Sequence, residues 1–280
     1  MACPICKKKK IKFSISVKDY EYDMSFSAQY VQCYYCKSLY RSNPKNINKI
    51  EKKIYLKNKY LPVKGSFLYD ILKGFNASNE KEIILKKIGY DYFDKKITLL
   101  DVACGKGYLI KKFSKIKNLR CFGIDLNIKN YKKNNINFLN SSYNNFKLLK
   151  KINPDILIIN NFIEHIDNLK NFEKILKLIK KESYVIIFTP DSKSNARVKF
   201  SEFWSGYHSP RHKVIFNSTN IKKLFNNKIK IKFNLFKSFD PFSNFVSIVN
   251  FGKFFLKNLS FKNTINLINF IFYLFIDIKN

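Results

Sequence analysis

Arginine is scarce in this 280-residue chain: only four of its 53 basic residues are arginine (Arg41, Arg120, Arg197 and Arg211), and the rest are lysine. The formal net charge of +33 would by itself suggest nucleic acid or an anionic surface, because clustered cations gain free energy by releasing counterions. Arginine, however, is the usual bidentate reader of phosphate, and the lysines are spread over every segment with one dense run, Lys7 to Lys10. That pattern favours a solvated surface over a dedicated nucleic-acid face. Also missing is any apolar run of about 20 residues, the length needed to span a bilayer. The N-terminus opens on two cysteines and four lysines where a secretory signal would need an apolar stretch, so a cytoplasmic protein is expected. One strongly apolar stretch, Ile265 to Ile278, is interrupted by Asn266, Asn269 and Asp277. Three readings compete for it: a buried helix or closing strand, peripheral attachment to the inner face of the membrane, and a partner interface.

What is present is enough for a full core. At 46% hydrophobic and 16% aromatic residues, the chain can form one large domain plus a small appendage. Cys3-x2-Cys6 and Cys33-x2-Cys36 are two close cysteine pairs near the N-terminus. Their spacing matches two knuckles that each give two thiolates to a tetrahedral zinc ion, and in a reducing compartment disulfides are disfavoured. Four thiolates leave no open coordination position, so such an ion is structural. Cys104 and Cys121 stand outside the pattern and read as packing residues.

From about residue 97 short β-branched runs alternate with helical stretches, the pattern of a parallel sheet covered by helices. Strands are expected at 97–103, 120–125, 136–140, 154–160, 183–189 and 228–236, and helices near 107–116, 168–181 and 218–227. Leu169, Phe172, Ile175, Leu176 and Ile179 recur at helical spacing and should face the core. The predicted fold class is α/β, a Rossmann-like, doubly wound and mostly parallel sheet with a small N-terminal zinc module of four cysteines. The expected organisation is a zinc-binding module at 1–42, a linker and N-terminal helices at 43–96, the sheet domain at 97–240 and an apolar extension at 241–280.

The first of these strands ends in the loop DVACGKG, Asp101 to Gly107. A carboxylate and a tight turn thus stand at the carboxyl edge of the sheet, where ligands bind in such folds. Small residues at 103, 105 and 107 let backbone N–H groups approach a ligand, and the following helix points its N-terminus at the site. Asp125 ends the second strand, placed to accept two ribose hydroxyls. A nicotinamide-binding G-x-G-x-x-G reading fails, because its third glycine position is Ile110.

With these residues in view, the chain resembles the class I S-adenosylmethionine-dependent methyltransferases. Their first motif usually reads L-D-x-G-C-G-x-G and here reads LLDVACGKG, with Ala103 in place of the first glycine. NFIEHI at Asn161 to Ile166 matches a second motif, after the fourth strand of the sheet domain. WSGYHSPRHKVIFNSTNIKKLF, Trp204 to Phe225, is similar to a stretch in bacterial members that often serve glycan or lipid biosynthesis. The resemblance implies S-adenosylmethionine as cofactor, held by Asp101, Ala103, Cys104, Gly105, Gly107, Asp125, Leu126, Asn140, Ser141 and Asn160. Asn140 and Ser141 stand where the family often has an acid, so neutral groups are expected to meet the adenine. The family usually closes its sheet with an antiparallel strand, for which the C-terminal IFYLFIDI is the available segment.

The resemblance also implies a catalytic side. All three histidines, His165, His208 and His212, fall in the two family-like segments, and each is a candidate base for a hydroxyl or carbon-acid acceptor. Arg211 could hold an anionic acceptor. N-terminal zinc modules precede some sugar and glycan methyltransferases, which points to a small-molecule or glycan acceptor such as a sugar, a sugar nucleotide or a cell-envelope precursor. Two alternatives stand beside it: a quinone or lipid acceptor met through the apolar C-terminus, and a zinc-ribbon RNA-binding protein whose sheet domain has lost catalysis.

Overall fold

The computed structural model of the chain describes residues 1–20, 27–42, 47, 67–166, 169–177, 179–180, 182–224, 234–235 and 241–257. Strands β1 (Ile11–Lys18), β2 (Ser27–Cys33) and β3 (Leu39–Ser42) form an antiparallel meander. Helix α1 (Phe67–Ile88) precedes an alternating run. Its elements are β4 (Ile97–Val102), α2 (Tyr108–Phe113), β5 (Leu119–Asp125), β6 (Tyr131–Lys133), β7 (Ile136–Asn140), α3 (Phe146–Ile152), β8 (Ile156–Asn160), α4 (Leu169–Leu176) and β9 (Tyr184–Phe188). Then come α5 (Asn195–Phe200), β10 (Val214–Ile215), α6 (Ser218–Lys223) and α7 (Pro241–Lys257). The predicted strand at 228–236 lies outside the described residues except Asn234 and Leu235, which are in neither helix nor strand, and Ile265 to Ile278 lies wholly outside them.

The larger sheet has the order β6-β7-β5-β4-β8-β9, parallel except for β6. This is the expected doubly wound α/β arrangement, with the order reversing across β4. β4 and β8 are buried along almost their whole length, as central parallel strands with layers on both faces must be. The α4 stripe packs as its spacing predicts: Phe172, Ile175 and Leu176 are buried in one core with Leu100, Leu157 and Ile159. Each such side chain contributes roughly 1.5–3 kcal/mol on leaving water.

The antiparallel edge strand β6 is absent from the pattern-based expectation. It forms a hairpin with β7 across Asn134 and Asn135, and Asn134 takes the left-handed φ of +54° that a two-residue hairpin turn requires. Its lysines keep the edge solvated.

The second sheet, β1-β2-β3-β10, takes its last strand from the segment after β9. The sequence pattern places a boundary at residue 42. In the fold, Cys3, Cys33, Cys36 and Tyr40 share a core with β4, β8 and Phe216.

Candidate active site

The carboxyl ends of β4, β5 and β8 meet in register, and they carry Asp101, Asp125 and Asn160. Beyond β4 the chain turns on three left-handed residues, Ala103 (φ +56°), Gly105 (φ +53°) and Gly107 (φ +71°). Gly105 faces open space, whereas a Cβ on Gly107 would lie 2.6 Å from Phe138 Cε1. The loop is pinned across the sheet: Gly105 N–H donates to Asp125 Oδ2 at 3.0 Å and Asn127 N–H to Asp125 Oδ1 at 2.8 Å. Lys106 and Tyr108 are both held by Asp70 of α1.

Asp101 is buried, and its Oδ1 has no hydrogen-bond partner among the described residues. Burial first, then the charges of Glu80 and Asp125, push its pKa well above the ordinary carboxylate range. Glu80, absent from the sequence-derived set, reaches the site from α1: its carboxylate accepts from Asn160 Nδ2 at 2.7 Å and Asn76 Nδ2 at 2.9 Å. The sequence does carry a sign of it, a charged residue inside the otherwise apolar helical stripe of Ala77 and Ile84, all three buried. Three carboxylates gathered at one edge of the sheet favour a ligand carrying positive charge.

The other expected cofactor contacts divide. Cys104 packs against Gly123, its Sγ 2.9 Å from where a Cβ would stand on that residue, and Leu126 is exposed beside Asp125. Asn140 donates its side-chain N–H groups to the carbonyls of Leu126 (3.1 Å) and Ile128 (2.7 Å), so it shapes the loop after β5. Ser141 N–H is spent on the Asp125 carbonyl at 3.1 Å, while its hydroxyl accepts from Asn145 Nδ2 at 3.2 Å.

The three histidines converge, although two come from the segment after β9 and one from the turn after β8. A ring nitrogen of each lies within 4.8 Å of the others. His165 Nδ1 meets the Arg211 carbonyl at 3.1 Å and His212 Nδ1 the Gly206 carbonyl at 2.7 Å. Only N–H can face a carbonyl, so in each neutral ring Nε2 is left as a lone pair. His208 Nδ1 lies 3.3 Å from His212 Nε2. Burial, then the neighbouring His208, Arg211 and Lys213, hold His165 well below the usual histidine pKa; burial, then His165 and His208, do the same to His212. Glu164 is fully buried, and burial raises its carboxyl to about 7. Arg211 is turned inward from the surface. It is fully buried and paired with Asp19 at 3.5 Å, because the loop folds back on the N-terminal sheet.

Trp204 joins the same sheet, packed with Val17, Ala28 and Tyr30 and away from the β4 loop. The sheet holds the histidine loop at several points. Tyr30 O–H donates to the carbonyls of Tyr207 and His212, both at 3.0 Å, Ser209 O–H donates to the Val17 carbonyl at 2.9 Å, and Arg41 donates to the Pro210 carbonyl.

Cys3, Cys6, Cys33 and Cys36 gather as their spacing predicts, with Sγ···Sγ distances of 3.5 Å (Cys3–Cys36) and 3.4 Å (Cys6–Cys33). The two knuckles are built alike. In each, the first cysteine's N–H bonds the carbonyl five residues on, and its carbonyl accepts from a lysine N–H four residues on, Lys7 or Lys37. Both lysines are left-handed, at φ +61° and +60°. Burial opposes ionisation of Cys33, but bonds from the Cys36 N–H, the Cys6 thiol and the Tyr35 N–H bring its pKa down to about 7. The second knuckle is fastened to the sheet domain by Asn217 Nδ2, which donates to the Cys36 carbonyl at 3.1 Å while its Oδ1 caps α6.

Against known proteins, a family model described as a methyltransferase domain matches residues 78–228, more than half of the chain. No curated protein matches. Among solved structures, the chain is similar to an S-adenosylmethionine-dependent methyltransferase from Archaeoglobus fulgidus, at 24% identity and TM-score 0.39, covering 51% of this chain and 66% of that one. A 1,6-didemethyltoxoflavin-N1-methyltransferase of Burkholderia thailandensis, with S-adenosylhomocysteine bound, matches at 10% identity and TM-score 0.41 over 70% and 82% of the two chains. A plantazolicin methyltransferase in complex with SAH matches at 19% identity and TM-score 0.42 over 79% and 88%.

Proposed function

The chain belongs to the methyltransferase-domain family, and on that premise we propose that it transfers a methyl group from S-adenosylmethionine to a small-molecule acceptor. The acceptor class we propose is a sugar, a sugar nucleotide or a related cell-envelope glycan precursor. The observation that carries the cofactor assignment is the meeting of Asp101, Asp125 and Glu80 around a left-handed turn at the carboxyl edge of the sheet. The unpartnered Asp101 Oδ1 and the open space at Gly105 fit a cationic ligand with an amino-acid tail.

When bound, the cofactor supplies a methyl carbon made electrophilic by the sulfonium. The chain's own residues would do the rest. Asp125, already oriented by Gly105 and Asn127 N–H, accepts the ribose hydroxyls. Glu80 meets the positive charge of the tail, and Asp101 joins it by giving up its proton as the cation binds. An in-line displacement gains most from alignment and exclusion of water. We place the acceptor on the side of His165, at the end of β8, where the three histidines gather. The glycan assignment is supported by the four-cysteine module, whose sheet braces the histidine loop. We assign that module a structural zinc ion, and the reduced thiols it requires suit a cytoplasmic setting.

Calorimetry with S-adenosylmethionine tests the cofactor assignment: binding should be measurable in the parent and lost in Asp125→Ala, with the fold intact by circular dichroism. Absence of binding by the folded parent overturns it. Incubation of candidate acceptors with isotope-labelled cofactor, read by mass spectrometry, tests the acceptor class.

A further inference from the structure

We propose that His165, His208 and His212 form a second metal site, distinct from the four cysteines, which binds a divalent transition ion of the zinc type through three imidazoles and leaves one position open for an oxygen ligand. Its role at the acceptor rests on the methyltransferase reading, but the binding of the ion does not.

Geometry carries the assignment. At a Zn–N distance of about 2.0–2.1 Å, tetrahedral ligands stand roughly 3.3–3.4 Å apart. His208 Nδ1 and His212 Nε2 are 3.3 Å apart, and one nitrogen of each of the three rings lies within 4.8 Å of the others. The rings do not stack. Their planes cross at 81° (His165–His212), 84° (His165–His208) and 90° (His208–His212), with centroids 4.6–5.7 Å apart, as three rings aimed at one point would be.

The surroundings are those of a supported ligand set. Backbone carbonyls of Arg211 and Gly206 take the Nδ1–H of His165 and His212, which fixes the tautomer and leaves both Nε2 atoms as lone pairs, the outer-shell arrangement that metal-bound histidines usually have. Glu164 is fully buried, with Oε2 accepting from Thr189 at 3.0 Å. Its Oε1 has no hydrogen-bond partner among the described residues and lies 3.7 Å from His212 Nε2, so a buried carboxyl oxygen stands beside the cluster. His208 itself sits at a left-handed φ of +37°, a conformation that costs a non-glycine residue energy and that tertiary contacts must hold. Those contacts are the bonds that tie the loop to the N-terminal sheet, from Tyr30 and Arg41 of the sheet to the loop carbonyls and from Ser209 of the loop to the Val17 carbonyl. Three neutral imidazoles select zinc or its neighbours over magnesium or calcium, and three protein ligands with an open fourth position suit a Lewis acid better than a structural ion.

The chain has only three histidines, all in this cluster, so any histidine-specific readout reports on this site alone. The full-length protein is stripped with chelator, reloaded with zinc and its bound metal counted by mass spectrometry. The parent should hold one equivalent more than His208→Asn, a substitution chosen because asparagine tolerates the left-handed backbone. His165→Gln should lose the same equivalent, and both variants should still bind S-adenosylmethionine. In the unmutated protein, zinc should suppress carbethoxylation of the histidines by diethyl pyrocarbonate at least several-fold relative to the stripped form. Equal zinc content in the parent and both variants, or carbethoxylation unaffected by zinc, overturns the site. Because cofactor binding is measured separately, a failure of the methyltransferase reading is distinguishable from a failure of this one.

Discussion

Gly107→Ala tests the turn on which the proposed cofactor site depends. Gly107 has φ +71°, a region that costs an L-residue roughly 1–2 kcal/mol. The added Cβ would also lie 2.6 Å from Phe138 Cε1 and 2.8 Å from Cζ, against a comfortable carbon separation of about 3.5–4.0 Å. Phe138 has little room to yield, since it is buried and stacked on Tyr131 with ring centroids 4.5 Å apart. Overpacking of this kind costs about 1–3 kcal/mol. Together the two effects give about 2–5 kcal/mol, a large share of the 5–15 kcal/mol or so that stabilises a typical fold. Urea titration followed by circular dichroism should show the midpoint falling accordingly, and Tm should drop by on the order of 10 °C. Phe138→Leu removes the colliding ring atoms, so the double variant should recover about 1 kcal/mol or more relative to the sum of the single losses, leaving the backbone cost in place. An alanine variant within about 0.5 kcal/mol of the parent, the usual range for harmless substitutions, or a double variant without coupling, would show that the turn is not constrained in this way.

Ala103→Gly should do the opposite: relief of the left-handed strain at φ +56° outweighs the extra freedom of the unfolded chain and stabilises the protein by about 0.5–1 kcal/mol in the same titration. Asp101→Asn should show a pH signature without cofactor. A carboxyl whose folded pKa is raised keeps its proton where the unfolded chain has lost it, so the parent loses stability as pH climbs from the ordinary value of 3.8 through the raised one. The asparagine variant lacks this loss. Its Tm should equal the parent's near pH 3.5, exceed it increasingly above that and then level off, while its affinity for S-adenosylmethionine falls; a gap that closes with rising pH would contradict the assignment. Asn217→Ala deprives α6 of its cap and the Cys36 carbonyl of a buried donor, and should cost about 2–3 kcal/mol by urea titration.

Features that are local in the chain were legible from its residues. DVACGKG and Asp125 could be read because a tight turn after a β-branched run needs small residues, and the register of neighbouring parallel strands brings the two strand ends together. The strands at 97–103, 120–125 and 136–140 and the α4 stripe followed from periodicity, since burial on one or both faces leaves a repeating mark. The clustering of Cys3, Cys6, Cys33 and Cys36 followed from spacing. The remaining features depend on tertiary packing. Glu80 reaches Asn160 only because α1 lies over the sheet, and Asn140 turns to the carbonyls of Leu126 and Ile128 because the loop after β5 curls over it. β10 joins β3, Arg211 turns inward to Asp19, and His165 meets His208 and His212. Such meetings depend on how separate elements pack, and packing contacts between distant residues leave no periodic or motif signal in the chain.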